Sequence, residues 1–263
     1  MDRPLTVPPS APLTPLLERA RAALAAVRIV LVQPSHPGNV GSVARAMKTM
    51  GLGDLRLVAP RDPLALENAE ALALATGASD ILAQARVHAS LDEALASCQW
   101  SVALTARSRD LAPTLLDPQD AARHALERGA AAQSVAFVFG NERYGLDNDS
   151  VMRCMACCTI PTQPDYSSLN LAMAVQIVAY ECQRAAQALA PPAAAPAPLA
   201  TEAQREQLFG HLQEALIALQ FLDPEHHTKL MYRLRRLFSR AALEPDEVNI
   251  LRGICTAILE NRP

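Results

Sequence analysis

The chain is short of aromatic residues and carries no large excess of either charge. Aromatic side chains make up 4% of its 263 residues, so alanine, leucine and valine must supply most of the core volume. Half of the residues are hydrophobic, which suffices for a sizeable core of ordinary globular composition. The formal net charge is −3, so the protein as a whole is not a polycation. Any binding to nucleic acid must therefore come from local basic patches.

The sequence also lacks an apolar run long enough to cross a membrane. The best candidate, residues 23–32, is interrupted by Arg28, and it is shorter than the roughly 20 residues that a membrane helix needs. The first residues show no signal-peptide pattern. These features predict a cytoplasmic protein with no membrane partner.

Metal-ligand spacing is missing as well, although the chain has six cysteines. Cys154, Cys157 and Cys158 look like half of a zinc site, but no second CxxC or HxxxH pair follows at a suitable distance. We therefore expect reduced thiols and no metal.

Short apolar runs alternate with helical patterns up to residue 189. Strands are predicted at residues 29–32, 55–58, 100–104 and 135–139, with a weaker strand near 81–87 and a short one at 158–160. Helices are predicted at residues 14–26, 40–50, 64–75, 91–98, 121–128 and 169–189. The start of the last helix is apolar on nearly every side, so it should be buried. This alternation predicts an α/β domain with a mostly parallel sheet.

The composition of the remaining segments predicts an N-terminal extension, a linker and a separate C-terminal module. The first thirteen residues contain four prolines, which predicts a disordered tail and sets residues 1–25 apart as an N-terminal extension. Residues 190–200 are rich in alanine and proline and read as a semi-stiff linker. Residues 201–263 then predict a small all-α module of about three helices. The main domain accordingly spans residues 26–189.

A basic stripe distinguishes the C-terminal module. Lys229, Arg233, Arg236 and Arg240 recur at i, i+4, i+7 and i+11, so they align on one side of a helix. A solvated helix face would explain this pattern. No acid is interleaved, however, and a polyanion would relieve the repulsion between the four charges.

The first of three polar segments contains Asn39 and Arg45. Pro37-Gly38-Asn39 is a turn, and Asn39 is a good N-cap for the helix predicted from residue 40. Arg45 follows within that helix. Capping and a surface arginine would explain the segment alone, although a helix N-terminus with an arginine can also bind phosphate.

The second segment, Gly140-Asn141-Glu142-Arg143-Tyr144-Gly145, follows a predicted buried strand. Its glycines allow the backbone to approach a ligand closely, and Glu142 could orient Asn39 or Arg45. No GxGxxG pattern occurs in the chain, which disfavours a nicotinamide-linked oxidoreductase.

The third segment, Tyr166-Ser167-Ser168-Leu169-Asn170, follows the short strand and is predicted to cap the long helix. Serine capping alone would explain it. Elsewhere, Arg107 and Arg109 follow the strand predicted at 100–104, where they could contact RNA phosphates or simply face solvent.

In this order, the three segments resemble the motifs of the SpoU-type ribose 2′-O-methyltransferases of RNA. The resemblance implies the SPOUT fold, an α/β domain whose C-terminal part forms a trefoil knot, with S-adenosyl-L-methionine as cofactor. It implies catalytic roles for Arg45, Asn39, Glu142, Ser168 and Asn170. The positions that match the family's cofactor site are Leu104, Thr105, Ala106, Gly140, Ile160, Ser167, Ser168 and Leu169.

Further stretches resemble one subgroup of this family, including residues 47–52, 77–80, 106–109, 166–175, 234–238 and 249–254. That subgroup methylates cytidine or uridine at position 32 of the tRNA anticodon loop. The resemblance implies a homodimer with tRNA as partner and an RNA-binding C-terminal module. Two alternatives stay open: a ribosomal RNA ribose methyltransferase, and a non-catalytic RNA-binding protein that kept the knot.

Overall fold

A computed structural model describes residues 15–106, 113–163, 165–189, 198–225 and 228–260. Within these ranges, seven strands form one sheet in the order β3-β2-β1-β6-β4-β7-β5, and every neighbouring pair is parallel. The strands are β1 Val27–Val32, β2 Asp54–Val58, β3 Arg86–His88, β4 Trp100–Leu104, β5 Thr114–Leu116, β6 Val135–Phe139 and β7 Ala156–Cys158. The predicted α/β class with a mostly parallel sheet is confirmed.

Helices connect the strands and follow the last one. Their bounds are α1 Pro15–Ala25, α2 Pro37–Thr49, α3 Ala69–Leu74, α4 Ser79–Gln84, α5 Leu91–Leu95, α6 Pro118–Ala130, α7 Asn148–Arg153, α8 Leu171–Gln187, α9 Glu202–Ala218, α10 Thr228–Ala241 and α11 Pro245–Glu260. The last three confirm the expectation of about three helices in the C-terminal module.

Helices cover both faces of the sheet, which explains the uninterrupted apolar runs of its central strands. Ile29 and Leu31 of β1 point into a core formed with α1, α2, α6 and α8. Val30, between them, points to the opposite face, where α5 and α7 pack. A parallel sheet buried in this way leaves only the ends of its strands open for ligands.

Several predicted elements differ from the structure in type or extent, including the helix predicted at 91–98, which ends at Leu95. Residues predicted as a weak strand near 81–87 form α4 instead, and only Arg86–His88 pair with β2. Ile81 and Leu82 are adjacent buried residues that suit a short helix as well as a strand, so their pattern alone does not decide. The helix predicted at 64–75 is limited to Ala69–Leu74, because the Asn68 side chain caps it by accepting from the Glu70 N–H.

The short strand predicted at 158–160 lies two residues earlier, at Ala156–Cys158, where it pairs with β4 and β5. Two elements carried no sequence signal that we recognised. One is the edge strand β5, of only three residues. The other is α7, which the Asp147 side chain caps by accepting from the Ser150 N–H.

A buried polar cluster joins the C-terminal module to the main domain. The Glu202 carboxylate at the start of α9 accepts from Ser101 Oγ of β4 at 2.5 Å and pairs with Arg205 at 2.5 Å. Arg205 also donates to the carbonyl of Gln99 at 3.2 Å. All three side chains are buried, and burial raises the pKa of the Glu202 carboxyl. Glu202 and Arg205 both lie on α9, so the bonds that hold this helix against the main domain are those with Ser101 Oγ and the Gln99 carbonyl. Removing α9 from the sheet would break both bonds and leave buried polar groups unpaired.

The described ranges contain no helix that combines the length and apolar character needed to span a bilayer. They also contain no group of three or more histidine, cysteine or acidic side chains that could hold a metal ion. All six cysteines are free thiols and buried. The predicted disordered tail and residues 190–197 of the predicted linker lie outside the described ranges.

Candidate active site

Four neighbouring strands end at the same edge of the sheet. Strands β1, β6, β4 and β7 lie side by side, and their carboxyl ends lead into residues 33–36, 140–147, 105–106 and 159–170. A cavity of about 350 Å³ opens at this edge. In open α/β sheets, ligands bind at this edge.

The cavity lining contains every position predicted to bind the cofactor. These are Leu104, Thr105, Ala106, Gly140, Ile160, Ser167, Ser168 and Leu169. All seven residues from 140 to 146 also line it, together with Phe139, Cys158, Leu171 and Ala174. The structure thus brings together residues that lie more than sixty positions apart in the chain.

One carboxylate organises the polar side of this region. Glu142 accepts from the Ser35 N–H at 2.9 Å, from Ser35 Oγ at 2.6 Å and from the His36 N–H at 3.2 Å. Asn39 Nδ2 is the fourth donor, at 3.0 Å. Partial burial by itself raises the pKa of Glu142, but the bonds from Asn39 and Ser35 outweigh it and lower the pKa to about 2. A carboxylate of this kind is a poor proton acceptor, so Glu142 serves to position its donors.

A chain of hydrogen bonds extends from Glu142 to α8. Because Asn39 donates through Nδ2 to the carboxylate, its Oδ1 faces away and accepts from Asn170 Nδ2 at 3.0 Å. Asn170 Oδ1 in turn accepts from the Ala172 N–H at 2.9 Å and caps α8. The negative charge at one end therefore sets the orientation of both amides.

Two capping predictions are wrong, and the corrections explain how these amides become available. Asn39 is not an N-cap, since α2 begins at Pro37 after His36 and proline is favoured at the first helical position. Asn39 therefore lies in the first turn, where its side chain reaches Glu142. The long helix is capped by Asn170 instead of Tyr166, Ser167 or Ser168, and the two serines are exposed at the cavity.

The 140–146 loop is held by a buried asparagine. Asn141 donates from Nδ2 to the carbonyl of Gln33 at 2.8 Å and accepts at Oδ1 from the Arg143 N–H at 2.9 Å. The Gly145 N–H donates to the Asn141 carbonyl at 2.7 Å. Gly140 must be glycine here, because a Cβ would lie 2.1 Å from the carbonyl carbon of Gly145.

Two protein-family models match this chain, one over most of the α/β domain and one over the C-terminal helices. The model of the SpoU rRNA methylase family matches residues 26–180, more than half of the chain. The chain belongs to the SpoU rRNA methylase family. A second family model, the C-terminal domain of the tRNA methyltransferase TrmJ, matches residues 203–262.

Similar members of the SpoU family are known in sequence and in structure. The tRNA (cytidine/uridine-2′-O-)-methyltransferase TrmJ of Klebsiella pneumoniae is 48% identical over 224 residues, which cover 82% of this chain and 89% of that protein. The crystal structure of TrmJ from Z. mobilis ZM4 matches with a TM-score of 0.78 at 35% identity, covering 88% of this chain and 98% of that one. A probable methyltransferase from Bordetella pertussis matches 63% of this chain and 99% of its own, with a TM-score of 0.60 at 49% identity.

The structure brings only some of the predicted catalytic residues together. Asn39, Glu142 and Asn170 form the hydrogen-bonded chain, and Ser168 lines the cavity. Arg45 is exposed on α2 and is not part of the cavity lining. Its position six residues after Asn39 places it about 9 Å farther along the helix axis.

Of the predicted RNA-binding residues, the structure describes the four on α10. Lys229, Arg233, Arg236 and Arg240 are all exposed on α10, as the stripe predicts. Arg107 and Arg109 lie outside the described residues.

Sequence reasoning missed two residues that organise the site, Ser35 and Asn141. Ser35 was detectable only as a polar residue that closely follows a buried strand. Asn141 was detectable as the second residue of a Gly-Asn turn, since asparagine side chains often bond to backbone groups two residues on.

Proposed function

We propose that this protein transfers a methyl group from S-adenosyl-L-methionine to the ribose 2′-hydroxyl of cytidine or uridine in tRNA. The observation that carries the proposal is 48% identity to a tRNA (cytidine/uridine-2′-O-)-methyltransferase across most of both chains. The hydrogen-bonded chain of Glu142, Asn39 and Asn170 beside the cavity supports it. We further propose position 32 of the anticodon loop as the acceptor, on the subgroup resemblance of the sequence.

The cavity suits this cofactor in size and chemistry. Its volume of about 350 Å³ falls in the range of small-molecule sites. Leu104, Ile160 and Leu169 offer apolar contact for a base, and the hydroxyls of Thr105, Ser167 and Ser168 offer polar contacts. When bound, S-adenosyl-L-methionine supplies an activated methyl group on a sulfonium, so no covalent enzyme intermediate is required.

The residues of the chain then orient the acceptor and stabilise charge. Glu142 holds Asn39 in one orientation, Asn170 donates to Asn39, and Ser168 lines the cavity. Arg45 positions the ribose hydroxyl and stabilises the alkoxide that develops on its oxygen. Arginine stays protonated in proteins, so a phosphate or solvent accepts the hydroxyl proton.

The basic stripe on α10 binds the tRNA backbone in this proposal. Replacing Arg233 with glutamine is expected to weaken tRNA binding and to lower the slope of log Kd against log salt by about 1, the change for one lost phosphate contact. Arg123→Gln, which changes another exposed arginine, on α6, serves as control. An unchanged salt slope in Arg233→Gln would assign the stripe to solvent alone.

The remaining features of the proposal follow from the resemblance. They are a trefoil knot within a methyltransferase domain at 26–189, the linker at 190–200, an RNA-binding module at 201–263, a cytoplasmic location and a homodimer. The start of α8 was predicted to be buried, and this is wrong in part, because Met173 on that helix is 62% exposed. A fully active protein that sediments as a monomer would exclude the homodimer.

Transfer of labelled methyl groups to an unmodified tRNA transcript tests the function. We expect incorporation into the transcript and none into a matched transcript with a 2′-deoxy nucleotide at position 32, because the accepting oxygen is gone. Incorporation that survives this change would place the methyl group on another atom or nucleotide. Incorporation into ribosomal RNA but not tRNA would favour the ribosomal alternative. Binding of cofactor and RNA without any transfer would favour the non-catalytic one.

A further inference from the structure

An exposed tyrosine stands at the edge of the cavity in a chain that has few aromatic residues. Tyr144 is 56% exposed and belongs to the cavity lining. Aromatic side chains gain more than most from burial, yet this ring remains partly in solvent beside a ligand site. A ligand that approaches from outside the cavity and covers the Tyr144 ring therefore gains binding free energy.

The backbone that carries Tyr144 is fixed. Asn141 anchors the loop to Gln33 with Nδ2, and its Oδ1 accepts from the Arg143 N–H at 2.9 Å and the Tyr144 N–H at 3.4 Å. The bond from the Gly145 N–H to the Asn141 carbonyl closes the turn at 2.7 Å. A ring on such a loop loses little backbone entropy when a ligand binds.

Arg143 lies over one face of the ring, with its guanidinium carbon 5.2 Å from the ring centroid. A planar partner can therefore stack on the other face. The guanidinium also places a positive charge beside that position, which favours a planar group attached to a phosphate. A nucleotide of RNA has this combination of a planar base and a negatively charged phosphate.

We propose that Tyr144 stacks on the base of the nucleotide that accepts the methyl group. This inference rests on the proposed function and adds a residue that binds the target base. Every base offers a π-face, so stacking would hold cytidine and uridine alike. The contact fixes the base outside the cavity and thereby presents its ribose to the site.

A double-mutant cycle that combines changes in the protein with a change in the RNA tests the proposal. Tyr144→Leu removes the ring but keeps apolar bulk, and Tyr144→Phe keeps the ring. Each is assayed with intact tRNA transcript and with a transcript that lacks only the base of the acceptor nucleotide. For Tyr144→Leu we expect a loss in tRNA affinity and in kcat/KM of about 5- to 150-fold on intact tRNA, the range for stacking on one aromatic side chain. On the abasic transcript we expect Tyr144→Leu to match wild type, because the stacking partner is already absent.

Tyr144→Phe should behave like wild type on both transcripts. Tyr180→Leu is the matched control, since Tyr180 is 49% exposed on α8 with Arg184 at 6.0 Å over its ring, but it does not line the cavity. The affinity for S-adenosylhomocysteine, measured by calorimetry, should be the same in all variants.

Two results would overturn the proposal. One is an equal loss on intact and abasic transcripts, which would mean that the ring only supports the loop. The other is a loss of S-adenosylhomocysteine affinity with unchanged tRNA affinity, which would place the ring on the cofactor. If the wild type transfers no methyl group at all, the proposed function fails, while the affinity cycle still shows whether Tyr144 stacks on a base.

Discussion

Gly140→Ala should strongly weaken the binding of S-adenosylhomocysteine. The added Cβ would lie 2.1 Å from the Gly145 carbonyl carbon and 2.2 Å from the Leu146 nitrogen. Both atoms are backbone, so a side-chain movement cannot relieve the clash, and the whole 140–146 loop must shift. That loop supplies seven residues of the cavity lining. We expect the affinity, measured by calorimetry, to fall by about 100-fold, which corresponds to the upper part of the roughly 1–3 kcal/mol that overpacking costs.

The same substitution should lower the thermal stability, because overpacking costs about 1–3 kcal/mol. Gly53→Ala is the matched control, since a Cβ there would meet nothing within 4 Å. It should leave both affinity and stability unchanged. Wild-type affinity in Gly140→Ala would show that the loop adapts, and that its rigidity is not required for the cavity.

The central strands were predictable because burial on both faces leaves a continuous apolar pattern. Strands β4 and β6 begin and end where the sequence pattern predicts, at Trp100–Leu104 and Val135–Phe139. The edge strands β3 and β5 were not predictable, because each has only three residues and is largely exposed. Whether such a short segment forms a strand depends on the neighbouring strand with which it pairs, and the sequence of the segment does not identify that neighbour.

The cavity was predicted through the family motifs, and so was a role for Glu142 in orienting Asn39 or Arg45, but the rest of the polar network was not. Asn39 looked like a cap because it follows a turn, whereas Pro37 two residues earlier had already started the helix. The partner that uses Asn39 is Glu142, 103 residues away in the chain. The sequence left open whether Glu142 orients Asn39 or Arg45, and the fold shows that the carboxylate bonds to the Asn39 amide. The contact of Glu202 with Ser101, which fixes the helical module to the sheet, carried no sequence signal that we recognised.

Arg45→Ala should strongly slow methyl transfer while leaving cofactor binding intact. Arg45 is exposed on α2 and does not line the cavity, so its loss should not alter the affinity for S-adenosylhomocysteine. If the guanidinium stabilises the developing alkoxide, kcat should fall by about 10²- to 10³-fold, the usual effect of losing one such donor. Single-turnover transfer to tRNA, at saturating cofactor and tRNA, measures this step without the contribution of binding.

Two further variants separate charge from geometry. Arg45→Lys keeps the positive charge but loses the planar fork of donors, so partial recovery would assign part of the effect to charge alone. Lys48→Ala removes a second exposed cation from the same helix, one that pairs with Asp80 at 2.5 Å, and it should leave kcat unchanged. A normal kcat with a raised KM for tRNA in Arg45→Ala would instead make Arg45 a phosphate contact. Alkoxide stabilisation would then have to come from Ser168 in the cavity lining, or from Asn39 and Asn170, which form a hydrogen-bonded chain with Glu142 of that lining.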